Sequence, residues 1–225
     1  MDLAFEAFVL AASTADLAEE PAAREHADCV EFRMDLAEGD PLDALAAYEG
    51  ELPLLVTDRP EWEGGEAADE DRTDTLVAAV EHDAVAAVDI ELREVLEGDG
   101  ASVVTAARES GAKAVVSVHD FEGTPPRAEL RRLLERAGEH GDVAKLAVTA
   151  ESPDDTLGLL AVTRERAAAG HAVATMAMGE VGRHTRVVAP LYGSRIGYAP
   201  VDPDRATAPG QYDLATLSRL VAELR

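Results

Sequence analysis

The chain has 225 residues, of which 47% are hydrophobic and only 4% aromatic, so it can bury a large core of small and branched aliphatic side chains. Asp and Glu number 45 against 20 Lys and Arg, and the formal charge of −25 repels nucleic acids and anionic membranes, which excludes both as expected partners. The acidic residues are spread along the whole chain, a composition that predicts a halophile-like protein, since concentrated salt screens the repulsion among them.

Short apolar runs alternate with helical patterns from one end of the chain to the other. The apolar runs predict strands, and the segments between them show helical spacing with capping and Gly signals. In chain order, the predicted elements are a strand at 5–11, a helix at 14–26, a strand at 29–34, a helix at 41–48, a strand at 52–57, a helix at 73–81, a strand at 86–90, a helix at 100–110, a strand at 114–119, a helix at 126–140, a strand at 143–148, a helix at 152–169, a strand at 171–178, a helix at 181–188, a strand at 196–199 and a helix at 214–224.

This order of elements predicts an α/β fold of eight strand–helix units. The strands are nearly continuous apolar runs, which is typical of parallel strands buried on both faces. Eight such units in one chain of this length favour a single (β/α)8 TIM-barrel domain over residues 1–225, with the active site at the C-terminal ends of the strands. No Gly-x-Gly-x-x-Gly follows the first strand, which argues against a dinucleotide-binding fold.

One lysine lies in the middle of the sixth predicted strand. The chain contains 18 Arg but only two Lys, and Lys145 interrupts the apolar run VAKLAV. A buried amine is more easily deprotonated, and a neutral amine on a rigid strand can attack a carbonyl and form an imine. The alternative is a lysine near a strand end whose ammonium group reaches water along its own stem.

Other polar residues lie near the C-terminal ends of the predicted strands. Glu31, Arg33 and Asp35 share one face of the second strand, and Asp89 ends the fourth. They either bind a polar ligand or form an ion network that fixes the register of the barrel. His119 ends the strand before that of Lys145, so it is either a structural imidazole or an acid–base group acting beside the amine.

The remaining signals concern the compartment. Cys29 is the only cysteine, so no disulfide can form within the chain, which fits a reducing interior. No apolar run reaches the roughly 18 residues of a membrane span. The start Met1-Asp2-Leu3 lacks the basic segment of a signal peptide, and we therefore expect a cytoplasmic protein.

Several short motifs, in family order and over almost the whole chain, resemble the type I 3-dehydroquinate dehydratases, the Schiff-base enzymes of the shikimate pathway. The matching segments are EFRMD at 31–35, Arg59 with EGG at 63–65, DIEL at 89–92, SVHD at 117–120, AKLA at 144–147, MAMG at 176–179, residues 182–186 and APGQ at 208–211. Each motif is weak alone, but together they are specific. Residues 189–203 match poorly.

The resemblance implies a hydro-lyase that converts 3-dehydroquinate to 3-dehydroshikimate by syn elimination of water. Lys145 would form the imine, His119 would act as general base and acid, and Glu63 would pair with His119. The resemblance further implies a small-molecule substrate, no metal or organic cofactor, and a homodimer.

The resemblance also implies a set of residues that bind the substrate. Arg186 would hold the substrate carboxylate. Thr207, where the family commonly has Ser, and Gln211 would lie on a loop that closes over the ring. The other implied binding residues are Glu31, Arg33, Arg59, Met176 and Met178.

Two further interpretations of the sequence stay open. Another imine-forming barrel, such as a class I aldolase, would also be trapped by borohydride but would make no conjugated enone. A catalytically inactive barrel that only binds ligands or partners would bind dehydroquinate without turnover.

Overall fold

A computed structural model describes residues 3–224 of the chain. Met1 and Asp2, on which the signal-peptide expectation rests, lie outside the described residues, as does Arg225. The strands are β1 (Val9–Thr14), β2 (Cys29–Arg33), β3 (Leu54–Thr57), β4 (Val85–Glu91), β5 (Lys113–Asp120), β6 (Val143–Thr149), β7 (Val173–Met178) and β8 (Ile196–Pro200). The helices are α1 (Glu20–Ala23), α2 (Pro41–Ala46), α3 (Arg72–Ala79), α4 (Leu92–Glu97), α5 (Gly100–Ser110), α6 (Arg127–His140), α7 (Pro153–Ala168), α8 (Gly179–Gly182), α9 (Thr185–Val188) and α10 (Leu214–Glu223).

The eight strands are parallel and lie in the order β7-β6-β5-β4-β3-β2-β1-β8. The two outer strands meet through a hydrogen bond of 2.7 Å from the Arg195 amide to the Val173 carbonyl and one of 3.0 Å from the Thr175 amide to Ser194 Oγ. The sheet therefore forms a nearly closed barrel surrounded by helices, and the predicted fold class is confirmed.

The first strand is placed differently from the prediction. It spans Val9–Thr14 and not 5–11. Phe5 has a φ of +50°, in the left-handed region that a strand cannot contain. Leu3 and Phe5 are instead buried in the cluster that fills the barrel interior. Apolar content alone does not distinguish a strand from a segment packed against a barrel.

Smaller differences concern the helices. The predicted helix at 14–26 is a 3-10 turn, Leu17–Glu19, followed by the single turn α1, and α4 was not predicted. The long helix α7 begins where expected, because Ser152 and Asp155 form a capping box at its N-terminus. Among residues 3–224, no helix combines the length and the apolar content needed to cross a membrane.

The barrel interior is apolar towards one end and polar towards the other. Strand positions alternate between the interior and the helices, so each strand sends every second side chain inward. The apolar interior cluster includes Val9, Val143 and Ile196, at the starts of their strands. Polar interior residues follow them near the C-terminal ends, where catalytic residues of such barrels lie.

Candidate active site

One cavity at the C-terminal ends of the strands contains all the residues predicted for the site. It is lined by the predicted residues Glu31, Arg33, Arg59, Glu63, His119, Lys145, Met176, Met178, Arg186, Thr207 and Gln211. The structure thus brings together side chains from six strands and the loops that follow them. It also adds lining residues that the sequence did not single out, chiefly Phe121 and Tyr198.

The strand register explains how Lys145 and His119 meet. Lys145 on β6 pairs with Ser117 on β5, and His119 lies two residues further along β5, on the same face. Neighbouring strands are about 4.8 Å apart and each residue advances about 3.3 Å, so the two side chains share one compartment. Lys145 is only 4% exposed, so its amine does not extend into bulk solvent.

The amine of Lys145 lies between a carboxylate and an aromatic ring. Its Nζ donates a hydrogen bond of 2.8 Å to Asp89 Oδ2 and stands 4.4 Å from the centre of the Tyr198 ring. Burial alone would raise the pKa of Asp89, but the charges of Arg59 and Lys145 outweigh it and hold that pKa well below its usual value. Asp89 is therefore an anion facing the amine.

Asp89 also belongs to a buried ion network. Arg59 donates to Asp89 Oδ1 at 2.7 Å, to Ser117 Oγ at 2.9 Å and to a carboxylate oxygen of Glu91. Glu91 in turn lies 2.8 Å from a guanidinium nitrogen of Arg72. The two interpretations of Asp89 are thus not exclusive, because the same carboxylate fixes Arg59 and contacts the amine.

His119 is held by Glu63. Its Nδ1 is 2.8 Å from Glu63 Oε1, and its backbone amide donates to the same oxygen at 3.0 Å. Burial, together with the cations Arg59 and Lys145, lowers the pKa of His119 well below its ordinary value. Burial also raises the pKa of Glu63 to about 8. At neutral pH the imidazole is therefore unprotonated, and Nε2 bonds to none of the residues described.

Phe121 covers this pair from the mouth of the cavity. Its ring stacks on His119 with centres 6.0 Å apart and planes inclined by 13°. Gly64 provides the room, since a Cβ there would stand 2.4 Å from the Phe121 ring. Gly64 also has a φ of +80°, so the position favours glycine twice over.

Glu31 and Arg33 are both held by neighbouring side chains. Glu31 accepts hydrogen bonds from Ser13 Oγ at 2.5 Å and from Thr57 Oγ1 at 3.2 Å. Arg33 makes a two-point ion pair with Asp35, at 2.8 and 2.7 Å. Both side chains line the cavity, so they form a polar part of its wall whose position is fixed by these contacts.

Arg186 is a buried cation without a paired carboxylate among the described residues. It follows β7 on α9, is 4% exposed, and donates one hydrogen bond of 3.2 Å to the Pro209 carbonyl. Its Nε has no partner in the described part of the chain. Burial lowers its pKa to about 10. Such a group favours an anionic ligand, which would restore the missing countercharge.

The loop that carries Thr207 and Gln211 lies over the cavity. Gln211 Oε1 accepts hydrogen bonds from the backbone amides of Thr207, at 2.9 Å, and Ala208, at 3.1 Å. The Pro209 carbonyl links this loop to Arg186. The side chain of Gln211 therefore shapes the loop as well as lining the cavity.

The lining predicts carbonyl chemistry more readily than metal chemistry. Within residues 3–224, no three His, Cys, Asp or Glu side chains are grouped so that they could hold a metal ion. A primary amine, an unprotonated imidazole and three arginines suit an anionic carbonyl compound.

Among the lining residues that the sequence did not single out, Tyr198 contacts Lys145 and Phe121 stacks on His119. Tyr198 lies on β8, within the segment that matched the known motifs poorly, and an aromatic residue on a weak strand suggests only core packing. Phe121 directly follows the SVHD motif, of which only His119 was singled out as a candidate site residue. Adjacency to His119 in sequence was the signal that could have identified Phe121.

The family model and the curated relatives point to the same family. The profile of the family described as Type I 3-dehydroquinase matches residues 8–224. A 3-dehydroquinate dehydratase of Haloarcula marismortui is 61% identical over 226 residues, covering 98% of each chain. One of Halobacterium salinarum is 54% identical over 225 residues, covering 98% of this chain and 99% of its own.

Solved structures agree with the sequence relatives. The crystal structure of 3-dehydroquinate dehydratase from Geobacillus kaustophilus is similar, with a TM-score of 0.83, 29% identity, and coverage of 97% of this chain and 91% of that one. The type I enzyme from Clostridium difficile, solved with covalent modified comenic acid, has a TM-score of 0.85, 26% identity, and coverage of 97% and 92%.

Proposed function

This chain belongs to the type I 3-dehydroquinase family and is a hydro-lyase of the shikimate pathway, and from that premise we propose that it dehydrates 3-dehydroquinate through an imine on Lys145. The observation that carries this mechanism is the placement of a buried amine and an unprotonated imidazole in one cavity. Neither group needs a metal ion or an organic cofactor to do the chemistry described below.

The first stage joins the ring ketone to Lys145. One proton of the Lys145 ammonium passes to the carbonyl oxygen as the freed nitrogen lone pair attacks the carbonyl carbon, and the oxygen leaves as water with a second proton from the same nitrogen, so that a protonated imine remains. The positive nitrogen then lies where Lys145 Nζ now lies, 2.8 Å from the carboxylate of Asp89. An ionised Asp89 stabilises that charge through the whole sequence of intermediates.

The second stage removes water from the ring. The imine draws electrons from the neighbouring carbon, so that its proton can be taken by the neutral imidazole of His119. The electron pair moves to form an enamine and then expels the ring hydroxyl, to which the imidazolium returns the proton. Glu63, 2.8 Å from Nδ1, orients the ring for both transfers. Hydrolysis of the conjugated imine frees 3-dehydroshikimate and the amine.

The remaining lining residues bind the substrate. Arg186 pairs with the ring carboxylate, because this buried guanidinium forms no ion pair with a carboxylate among the described residues. Glu31, Arg33 and Arg59 contact or orient the ring hydroxyls from walls fixed by their own hydrogen bonds. The set is completed by Met176 and Met178 beside the ring and by Thr207 and Gln211 on the covering loop.

The test uses the scarcity of lysine. The chain has two Lys, and Lys113 is at the half-buried start of β5, paired with Asp142 and outside the cavity lining. With 3-dehydroquinate and borohydride, we expect intact-mass measurement to show one reduced adduct in the wild type and in Lys113→Ala, and none in Lys145→Ala. An adduct at full yield in Lys145→Ala would show that the nucleophile is misassigned.

Absorbance measured in the same reactions without borohydride separates the activity from its alternatives. The conjugated enone product absorbs in the near ultraviolet, whereas the substrate does not. Adduct formation without new absorbance favours another imine-forming barrel, and binding with neither signal favours an inactive binding protein.

We also propose that the enzyme works as a homodimer in the cytoplasm. Four of its exposed large hydrophobic side chains lie on α7 and on two elements that each contact α7, namely α8 and the 3-10 helix Ala189–Tyr192; they are Leu157, Val181, Leu191 and Tyr192. Exposed apolar side chains on contacting elements support an interface between copies. Light scattering in concentrated salt tests it, and a monomeric mass at all concentrations contradicts it.

A further inference from the structure

Tyr198 has a buried hydroxyl with no partner. The residue is on β8, is 4% exposed, and packs with the residues that fill the barrel interior. No described group forms a hydrogen bond with its Oη. A buried hydroxyl without a hydrogen bond is costly, so most such groups have a partner. The same residue lines the active-site cavity, where a ligand could supply that partner.

The ring of Tyr198 lies against the reacting nitrogen. Lys145 Nζ is 4.4 Å from the ring centre, within the range of a cation–π contact. The same nitrogen also donates a hydrogen bond to Asp89. A positive charge on this nitrogen, whether on the ammonium or on the imine, is therefore stabilised by a carboxylate and by the electron-rich face of a ring.

The phenol is suited to donate a hydrogen bond and not to ionise. Burial, followed by the nearby anions Asp89 and Glu31, raises the pKa of Tyr198 well above its ordinary value. The hydroxyl thus keeps its proton over the working pH range. A group attached to Lys145 Nζ lies beside the ring that carries this hydroxyl, since the ring centre is 4.4 Å from that nitrogen.

We propose that Tyr198 is a further catalytic residue, whose ring face stabilises the charge on the Lys145 nitrogen and whose hydroxyl donates a hydrogen bond to the substrate oxygen that leaves when the imine forms. This inference rests on the proposed function. In the step concerned, the Lys145 ammonium and the ketone give the protonated imine and water: the C–N bond forms, the C–O bond breaks, and two ammonium protons leave with the oxygen. Tyr198 keeps its own proton and only stabilises the departing oxygen.

The experiment compares the wild type with Tyr198→Phe and Tyr198→Leu. Rapid-quench borohydride trapping with enzyme in excess measures the rate of imine formation, and steady-state kinetics measures kcat and KM. Tyr198→Phe loses the hydrogen bond of the hydroxyl, and we expect it to form the imine about 10-fold more slowly than the wild type. Tyr198→Leu also loses the cation–π contact of the ring, and we expect a further loss of about 10-fold. Since Arg186 still binds the carboxylate, KM should change less than kcat.

A stability measurement tests the unpaired state of the hydroxyl without relying on activity. Removing a hydroxyl that lacks a partner should raise the Tm of Tyr198→Phe. Tyr48→Phe is the matched control, since the Tyr48 hydroxyl donates a hydrogen bond of 2.6 Å to the Leu52 carbonyl. Tyr48 is not among the residues that line the cavity. That variant should lose Tm and keep its activity.

The outcomes separate the two claims. A wild-type imine rate in Tyr198→Phe overturns the role of the hydroxyl, and equal rates in the Phe and Leu variants overturn the role of the ring. If Tyr198→Leu does not fold, the Phe variant alone still decides the hydroxyl. If the wild type forms no adduct and no enone, the proposed function itself fails, and the assignment of Tyr198 fails with it.

Discussion

The charge of one carboxylate links the structure of this site to its chemistry. Asp89 is fully buried, yet its pKa is lowered because burial is outweighed by Arg59 and Lys145. Both cations direct a nitrogen at it, at 2.7 and 2.8 Å. Buried ion pairs of this kind do little for stability in themselves, but removing one partner leaves uncompensated charges.

Asp89→Asn should therefore cost both stability and reactivity. We expect the free energy of unfolding in urea to fall by about 3 kcal/mol, because buried Lys145 loses its carboxylate partner and Arg59 keeps only Glu91. The yield of trapped imine should fall as well. The matched control Glu223→Gln breaks an exposed pair of 2.9 Å with Arg219 and should cost less than about 1 kcal/mol. Equal losses in the two variants would show that Asp89 acts as an ordinary surface charge does.

His119→Ala should separate imine formation from elimination. The variant keeps Lys145, so the borohydride adduct should still form, whereas turnover should fall by about 10²–10⁴-fold. A wild-type rate would remove His119 from the mechanism. In the wild type, burial keeps the pKa of His119 well below 6.5, so the base stays unprotonated and kcat/KM should begin to fall only below that pH. An acid limb above pH 6.5 would contradict this assignment.

At the scale of elements, the strands hold most of the proposed reactive side chains in place, whereas the segments around β7 and β8 carry residues proposed to bind the substrate. The residues on β2 to β6 are held by a continuous ladder of strand pairs. By contrast, β7 and β8 meet through few hydrogen bonds, and Arg186, Thr207 and Gln211 lie on the segments that follow these two strands. The proposed contact with the substrate carboxylate and the covering loop thus lie on the less constrained side of the barrel.

Arg186→Ala tests this division. The loss of a two-point, charge-assisted hydrogen bond to a carboxylate should raise KM about 30- to 100-fold. Imine formation at saturating substrate should persist, because Lys145 lies on another element. Arg164→Ala removes an exposed arginine of α7 and serves as the control. Wild-type KM in Arg186→Ala would refute the carboxylate contact.

The same division explains what could be predicted from the sequence. Motifs and strand alternation placed Lys145, His119 and Glu63 at one end of one barrel, because parallel strands force their C-terminal ends together. Tyr198 was missed because its strand is short and carries no polar motif. The bounds of β1 were wrong because apolar side chains fill the barrel as well as build its wall. Contacts between distant segments leave no periodic signal in a sequence.

At the scale of the whole molecule, the surface charge determines the salt concentration at which the fold, and with it this site, is stable. The acidic excess gives a net charge of −25 on 225 residues, and this self-repulsion opposes the compact state. The pairs that hold the cavity are buried, so salt screens them much less than it screens the surface. Salt should therefore stabilise the fold while leaving the internal pairs in place.

We expect Tm to rise with KCl. The Debye length falls from about 10 Å at 0.1 M to about 3 Å at 1 M, which removes most of the repulsion between surface carboxylates. Each kcal/mol gained raises Tm by about 2–4 °C in a chain of this size, so a rise of roughly 10 °C corresponds to only a few kcal/mol spread over the surface. Sucrose at matched water activity is the control, since it favours burial but screens no charge. Of the two solutes, only KCl screens the acidic surface. A rise in Tm that is equally large in sucrose would therefore show that exclusion of the solute from the protein surface, and not charge screening, stabilises the protein.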